Sequence, residues 1–322
     1  MSGFLDSVVA KLTDPKGFSD AIQMGQYSRV IKDIWKEWRF SAVLSVTEPF
    51  PAAAAGTSVA NGVKTAVYIM DPPPTVRGLR DTAFRNRFFQ RILKRYDVIV
   101  STPFFREALL LNGFASFAEK TIPLGFPMVT DTLCIESCPR SSERVHLLFT
   151  GWMCSGIRSP KYFLEILSRL DERFVVTFMG RECEKLTERF DVQTKAELIT
   201  LPQQPYETAL QAMADADIMI NIGNSVPVHM PSKTLEYINT GKPFVNFYKM
   251  DDCPTLYYTK RYPLCLNLSE QDPDLDAAAA RFVDFCLSNK GKTVDRAYIG
   301  SEYADCTPEY IANQILRALE SE

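Results

Sequence analysis

The chain has 322 residues, of which 46% are hydrophobic, 11% aromatic and 23% charged. That is enough for about two domains and too apolar for a disordered chain. Thirty-six basic against 39 acidic residues leave a net charge of −3, which argues against a global nucleic-acid footprint while leaving room for a local basic patch. No run of 18 uncharged apolar residues occurs, and the opening MSGFLDSVVAKLTD lacks the basic start and apolar middle of a signal peptide, so the reading is cytoplasmic.

Predicted elements alternate between apolar runs bounded by turn residues and segments of helical period, the pattern of βα units around a mostly parallel sheet. In the first half, 19–38 carries Ile22, Tyr27, Val30, Ile31, Ile34, Trp35 and Trp38 on a helical stripe. Strands follow at 42–47, 65–70 and 97–101, with a helix at about 81–96 before the last. The polar, aperiodic stretch 130–144 marks the domain junction. The second half reads as strand 145–150, helix 160–170, strand 174–179, helix 206–214, strand 217–222, helix 232–240, and strands 243–247 and 264–268. Two helices, at about 276–288 and 308–320, close the chain. The expected domains are 1–138 and 139–304, both Rossmann-like. The C-terminal segment 305–322 is expected to return to the first. Two doubly wound domains in tandem would face each other across a cleft at the carboxyl ends of their strands.

Chemistry-bearing residues are sparse in one respect. The eight cysteines form no C-x-x-C pair and the only histidines are His146 and His229, so a structural zinc site is not expected and the thiols read as small buried apolar groups in a reducing compartment. No G-x-S-x-G is present to suggest a hydrolase. The informative segment is 221–245, NIGNSVPVHMPSKTLEYINTGKPFV. Pro231 precedes a helix opening on Ser232 and Lys233, and Gly241 with Pro243 ends it. Free N–H groups and the partial positive charge of a helix N-terminus, with the Ser232 hydroxyl and Lys233 ammonium, make a phosphate site. Glu236 lies one turn on, roughly 5–6 Å along the same face, where a carboxylate could accept from both ribose hydroxyls. The competing reading makes Ser232 an N-cap, Glu236 a favourable first-turn acid and Lys233 a solvated charge.

The run P-S-K-x-x-E-Y-x-x-x-G-K-P, Pro231 to Pro243, resembles the nucleotide-sugar site of GT-B glycosyltransferases, particularly the family 4 group. The order around it agrees: strand then Gly151, strand then Gly180, 198–202 with a downstream helix, and 214–217 leading into 218–222. The likeness covers about 145–315 and is looser in the first half. It implies that Ser232 and Lys233 hold the diphosphate, Glu236 holds the ribose, Gly151 admits the glycosyl portion to the backbone and Gly180 borders the base. Two departures stand out. Where the family often carries an Arg after the first glycine and a Lys about five residues on, this chain has Trp152 and Ile157, with Arg158 next door as the replacement cation. Val228 occupies the place of the earlier of two paired glutamates. For activating the acceptor hydroxyl the leading candidate is Asp71, at a strand end before three prolines, where turn chemistry is the competing reading. Glu48 is the weaker candidate, and His229 sits just before the phosphate helix.

The resemblance therefore implies transfer of a sugar from a nucleotide-diphosphate donor, UDP-linked, to a polysaccharide or glycolipid acceptor, with no metal and no further cofactor. The alternative is a degenerate GT-B-like protein that binds nucleotide and supports a partner enzyme. Asp215-x-Asp217 and Asp272-x-Asp274 match the acidic pair of metal-dependent transferases of another fold, but no matching order of elements surrounds them. Between Arg77 and Arg95 seven basic residues accompany one acid beside an apolar stripe. That suits either a helix lying on an anionic membrane at the inner face, near a lipid-linked acceptor, or a domain helix with a basic solvent face. The first domain lacks the opening strand and Gly-rich turn usual in this architecture, so it is expected to be shortened, with a partner chain as one way of covering the open sheet edge.

Overall fold

A computed structural model describes residues 15–47, 50–59, 62–70, 89–106, 115–130, 142–153, 156–225 and 229–320. Asp71, Glu48, Val228, Cys134, Cys138, Cys154, most of the 130–144 junction and residues 77–88 of the basic segment lie outside them. The chain divides into two compact units, one of residues 1–126 with 309–322 and one of residues 127–308.

The first unit holds a parallel sheet ordered β1-β2-β3-β4, from β1 (Ala42–Val46), β2 (Lys64–Ile69), β3 (Val98–Ser101) and β4 (Thr121–Pro123). β2 and β3 are apolar and almost wholly buried, as central parallel strands covered on both faces must be. One face packs on Ala53, Ala54, Phe89, Ile92, Leu93 and Phe105. The other is covered by Ile311, Ile315 and Leu319 of the C-terminal helix, Pro308–Glu320, against Tyr68, Val98 and Val100. These three residues recur every four positions, the spacing that puts them on one helical stripe.

Two expectations change here. The helix α1 (Pro15–Trp38) forms, but Ile22, Val30, Ile34 and Trp38 of its stripe are exposed, Trp38 by 73%. Periodicity specifies a helix without specifying what covers its apolar face. In the basic segment, Phe89, Ile92 and Leu93 are core residues while Arg91, Lys94 and Arg95 face water, so residues 89–95 take the domain-helix form of the two readings.

The second unit is a six-stranded parallel sheet ordered β10-β9-β8-β5-β6-β7. Its strands are β5 (Val145–Thr150), β6 (Phe174–Met179), β7 (Glu197–Leu201), β8 (Ile218–Ile222), β9 (Phe244–Tyr248) and β10 (Cys265–Ser269). The chain runs outward from β5 to β7 and then crosses back to place β8 on the opposite side of β5. That reversal between β5 and β8 is a topological switch point, the place where open α/β sheets bind ligands, at the carboxyl ends of the strands. The core centres on Phe163 of α2 (Lys161–Leu167), whose ring lies 5.0 Å from that of Phe247, 5.7 Å from Phe178 and 5.9 Å from Phe282, joining this helix to the sheet and to the helix Leu275–Asn289.

A polar device sets the register of three adjacent strands. Asn221, Asn246 and Asn267 are lateral neighbours on β8, β9 and β10. Asn221 Nδ2 donates to Asn246 Oδ1 at 2.7 Å, and Asn246 Nδ2 donates to Asn267 Oδ1 at 2.8 Å. Thr259 Oγ1 donates to the same Asn267 oxygen at 2.7 Å. A slip of one residue would turn these amides into the opposite face and strand them among apolar side chains.

Candidate functional site

Gly151 and Arg158 follow the carboxyl end of β5, Gly180 that of β6, and Ser232, Lys233 and Glu236 stand in the segment that follows β8. β5 ends in Thr150 and Gly151, and β6 in Met179 and Gly180. Gly151 has φ 148° and Gly180 φ 141°, a region that costs a residue with a Cβ strain. A Cβ on Gly180 would meet the Gly151 carbonyl oxygen at 2.0 Å, so the two turns touch through backbone alone.

Arg158 closes over this pair. A Cβ on Gly151 would lie 3.4 Å from the Arg158 guanidinium, and that group donates to Asn224 Oδ1 at 3.0 and 3.2 Å and to the Trp152 carbonyl at 3.4 Å. Asn224, buried just beyond β8, donates in turn to the His229 carbonyl at 2.8 Å. Ser225 N–H donates to the Ile157 carbonyl at 2.7 Å. The loops after β5 and β8 are thus tied to each other, and the arginine that the sequence offers as a replacement cation is held over the first glycine. Asn224 and Ser225 were missed by sequence reasoning, although both stand in the informative segment. A short polar residue beyond a buried strand carries no signal of its own.

The helix α3 (Lys233–Thr240) starts and stops as predicted, with Gly241 at φ 76° as its left-handed end. Ser232 is exposed and stands at the N-cap position in a helical conformation, but its hydroxyl makes no capping bond. Lys233 donates to Glu236 one turn away, and the Glu236 side chain is 9% exposed. The two charges form an i,i+3 pair on the helix face, where sequence reasoning set them at opposite ends of a ligand. Neighbours three apart on a helix lie side by side, and half-buried opposite charges there attract strongly.

Tyr237 docks this helix. Its hydroxyl accepts from Thr150 N–H at 3.0 Å, lies 3.0 Å from Thr150 Oγ1 and donates to the Thr150 carbonyl at 3.2 Å. Burial pushes its phenol up to about 12, so it stays neutral and donating. At the other end Lys242 donates to the carbonyls of Ala214 and Ala216, the latter at 2.6 Å, closing the C-terminus of the helix Tyr206–Asp215. That cation complements the helix dipole. The lysine of the G-K-P run therefore has a structural task.

The two acidic pairs also have structural tasks. Asp217 accepts from His146 N–H at 2.8 Å, Asp274 caps a helix by accepting from Ala277 N–H at 2.9 Å, and Asp272 pairs with Arg281 at 2.6 Å. Among the described residues no group of three or more His, Cys, Asp or Glu could hold a metal ion. No described helix is long and apolar enough to cross a membrane. Four of the five described cysteines are buried, and burial pushes the Cys183 thiol up to about 12.

No protein-family model matches the chain, and no curated protein matches it by sequence. Solved structures do match. The chain is similar to a glycosyltransferase from Rickettsia africae, at 14% identity and TM-score 0.66 over 93% of this chain and 82% of that one. It is similar to HepE of Anabaena in complex with UDP and glucose, at 12% identity and TM-score 0.64 over 92% and 81%. It is also similar to the lipopolysaccharide outer core galactosyltransferase WaaB, at 12% and 0.58 over 94% and 80%. The fold is that of the GT-B glycosyltransferases. In this GT-B fold the glycine pair, Arg158, Lys233 and Glu236 all belong to the second unit, and the backbone around them is fixed by Tyr237 and Asn224.

Proposed function

We propose that the protein is a glycosyltransferase that moves a sugar from a nucleotide-diphosphate donor, a UDP-sugar, to a glycan or lipid-linked acceptor. The observation that carries this reading is that Arg158 lies against Gly151, which itself touches Gly180, at the switch point of a GT-B fold, while Tyr237 seats α3, with Lys233 in its first turn, on Thr150 at the end of the same strand. Backbone N–H groups and two cations there suit a diphosphate. The same groups would stabilise the charge that builds on the departing diphosphate as the bond between sugar and phosphate breaks, so no metal ion is required. Glu236, drawn to Lys233, would exchange part of that pairing for the ribose hydroxyls. The acceptor hydroxyl forms the new glycosidic bond and loses its proton to a carboxylate, a role we assign to Asp71.

Similarity to HepE, solved with UDP and glucose, supports the choice of donor. The test is calorimetric titration with UDP and an assay of UDP-sugar turnover. Lys233→Ala and Glu236→Ala should each weaken UDP by about 1–3 kcal/mol, the size of a lost charge-assisted contact. Wild-type affinity in both variants would remove the site assignment. UDP binding with no turnover across a panel of donors and acceptors would favour the degenerate nucleotide-binding protein that supports a partner enzyme over the transferase.

A further inference from the structure

Beside the glycine pair, the chain has built a flat aromatic surface that the reading above leaves unused. Trp152 directly follows Gly151, and 43% of it is exposed. The Arg181 guanidinium lies over its ring, 4.8 Å from the centroid. The indole N–H donates to Glu182 Oε1 at 3.3 Å, and the same carboxylate is held by Arg189 at 2.7 Å. Met153 N–H donates to the Arg181 carbonyl at 3.0 Å, so the loops after β5 and β6 are stitched together under the ring.

The backbone shows that this orientation is specified. Glu182 has φ 65°, a left-handed conformation disfavoured by its Cβ, and among the described residues only Arg39 shares a positive φ without being glycine. Such outliers persist where the surroundings over-determine them, and they gather at ligand sites. Here the outlier aims a carboxylate at the indole and fixes the plane of a ring that packs into no core. A tryptophan ring left 43% in water by folding alone gains little.

We infer that Trp152, backed by Arg181, is a stacking platform for the nucleobase of the donor; this rests on the nucleotide-sugar reading of the site. The indole N–H is spent on Glu182, so the platform offers a π face and a guanidinium plane. Those surfaces match a flat heteroaromatic ring better than a sugar studded with hydroxyls, which needs donors and acceptors around its edge. Trp152 thereby takes over the place after Gly151 with a different chemistry, while Arg158 supplies the cation.

The probes are UDP, uridine and inorganic pyrophosphate, titrated calorimetrically into the full chain. In a Trp35→Phe, Trp38→Phe background, Trp152 is the sole tryptophan, so its fluorescence reports on the platform directly. UDP and uridine should quench it and pyrophosphate should not. Trp152→Ala should weaken UDP about 5- to 150-fold, the span of base–aromatic stacking, and leave pyrophosphate unchanged. Trp152→Phe should retain most of the affinity for UDP. If Trp152→Ala binds UDP as the wild type does while Lys233→Ala does not, the platform is refuted and the site stands. Equal losses for UDP and pyrophosphate would reduce Trp152 to a support for Arg158. A wild type that binds no UDP would overturn both readings.

Discussion

Replacing Tyr237 by Phe removes one oxygen from the point where α3 meets the end of β5. That oxygen is fully buried, and it satisfies the N–H and carbonyl of Thr150 at 3.0 and 3.2 Å. The variant loses the net value of these bonds, about 1 kcal/mol, and leaves a buried amide group unpaired at a further cost of about 1–3 kcal/mol. The total is about 2–4 kcal/mol. Urea unfolding of the second unit, followed through Trp152 in the Trp35→Phe, Trp38→Phe background, measures it. With a slope of about 2 kcal/mol per molar the midpoint should fall by about 1–2 M. Because Thr150 leads into Gly151, UDP affinity should fall as well, even though Tyr237 touches no ligand in this reading. A midpoint within about 0.3 M of the parent would show that neither Thr150 group depends on Tyr237, and the account of how the helix is seated would fail.

Two other outcomes follow from polar groups on and beyond β9 and β10. Asn246→Leu should cost about 2–4 kcal/mol by stranding its neighbours' amides, and a double-mutant cycle with Asn221→Leu should show a coupling of about 0.5–3 kcal/mol; additive losses would mean the amide ladder is not a unit. Glu270 lies just beyond β10 with its side chain 13% exposed and Lys249 at 3.9 Å, and burial pushes its carboxyl from 4.5 up to about 7. The folded chain therefore keeps a proton that the unfolded chain releases. The stability from this group is full below about pH 4.5 and is lost as pH rises through about 7, an effect on the order of 3 kcal/mol. Glu270→Gln should lack that part of the slope in urea titrations from pH 4.5 to 8, and parallel profiles for the two proteins would show that Glu270 does not titrate in this way.

Much of the second unit was legible because its signals are local. Strands 145–150 and 174–179 are apolar runs between turn residues, and the helix after Pro231 carries both its start and its stop in the sequence. Gly151, Gly180 and Arg158 stand out by their places in the order of elements that the resemblance implies, and the structure sets Gly151 against both of the others. What stayed hidden depends on partners distant in the chain. Tyr237 looks like any core aromatic until Thr150, 87 positions away, is seen on its hydroxyl. Lys233 and Glu236 were read by their separate affinities for phosphate and ribose, whereas the structure pairs them with each other. The short strand Thr121–Pro123 and the helix Arg296–Glu302 have too few periods to register.

The last described helix has a bearing on synthesis. Ile311, Ile315 and Leu319 cover one side of a sheet whose strands were translated some two hundred residues earlier. Domains emerging from a ribosome ordinarily mature in the order in which they appear. Here the unit that emerges second, residues 127–308, holds all of its own strands and can finish first. The first cannot bury that face of its sheet until Ile311, Ile315 and Leu319 have been made, so its completion is tied to the last of the described residues.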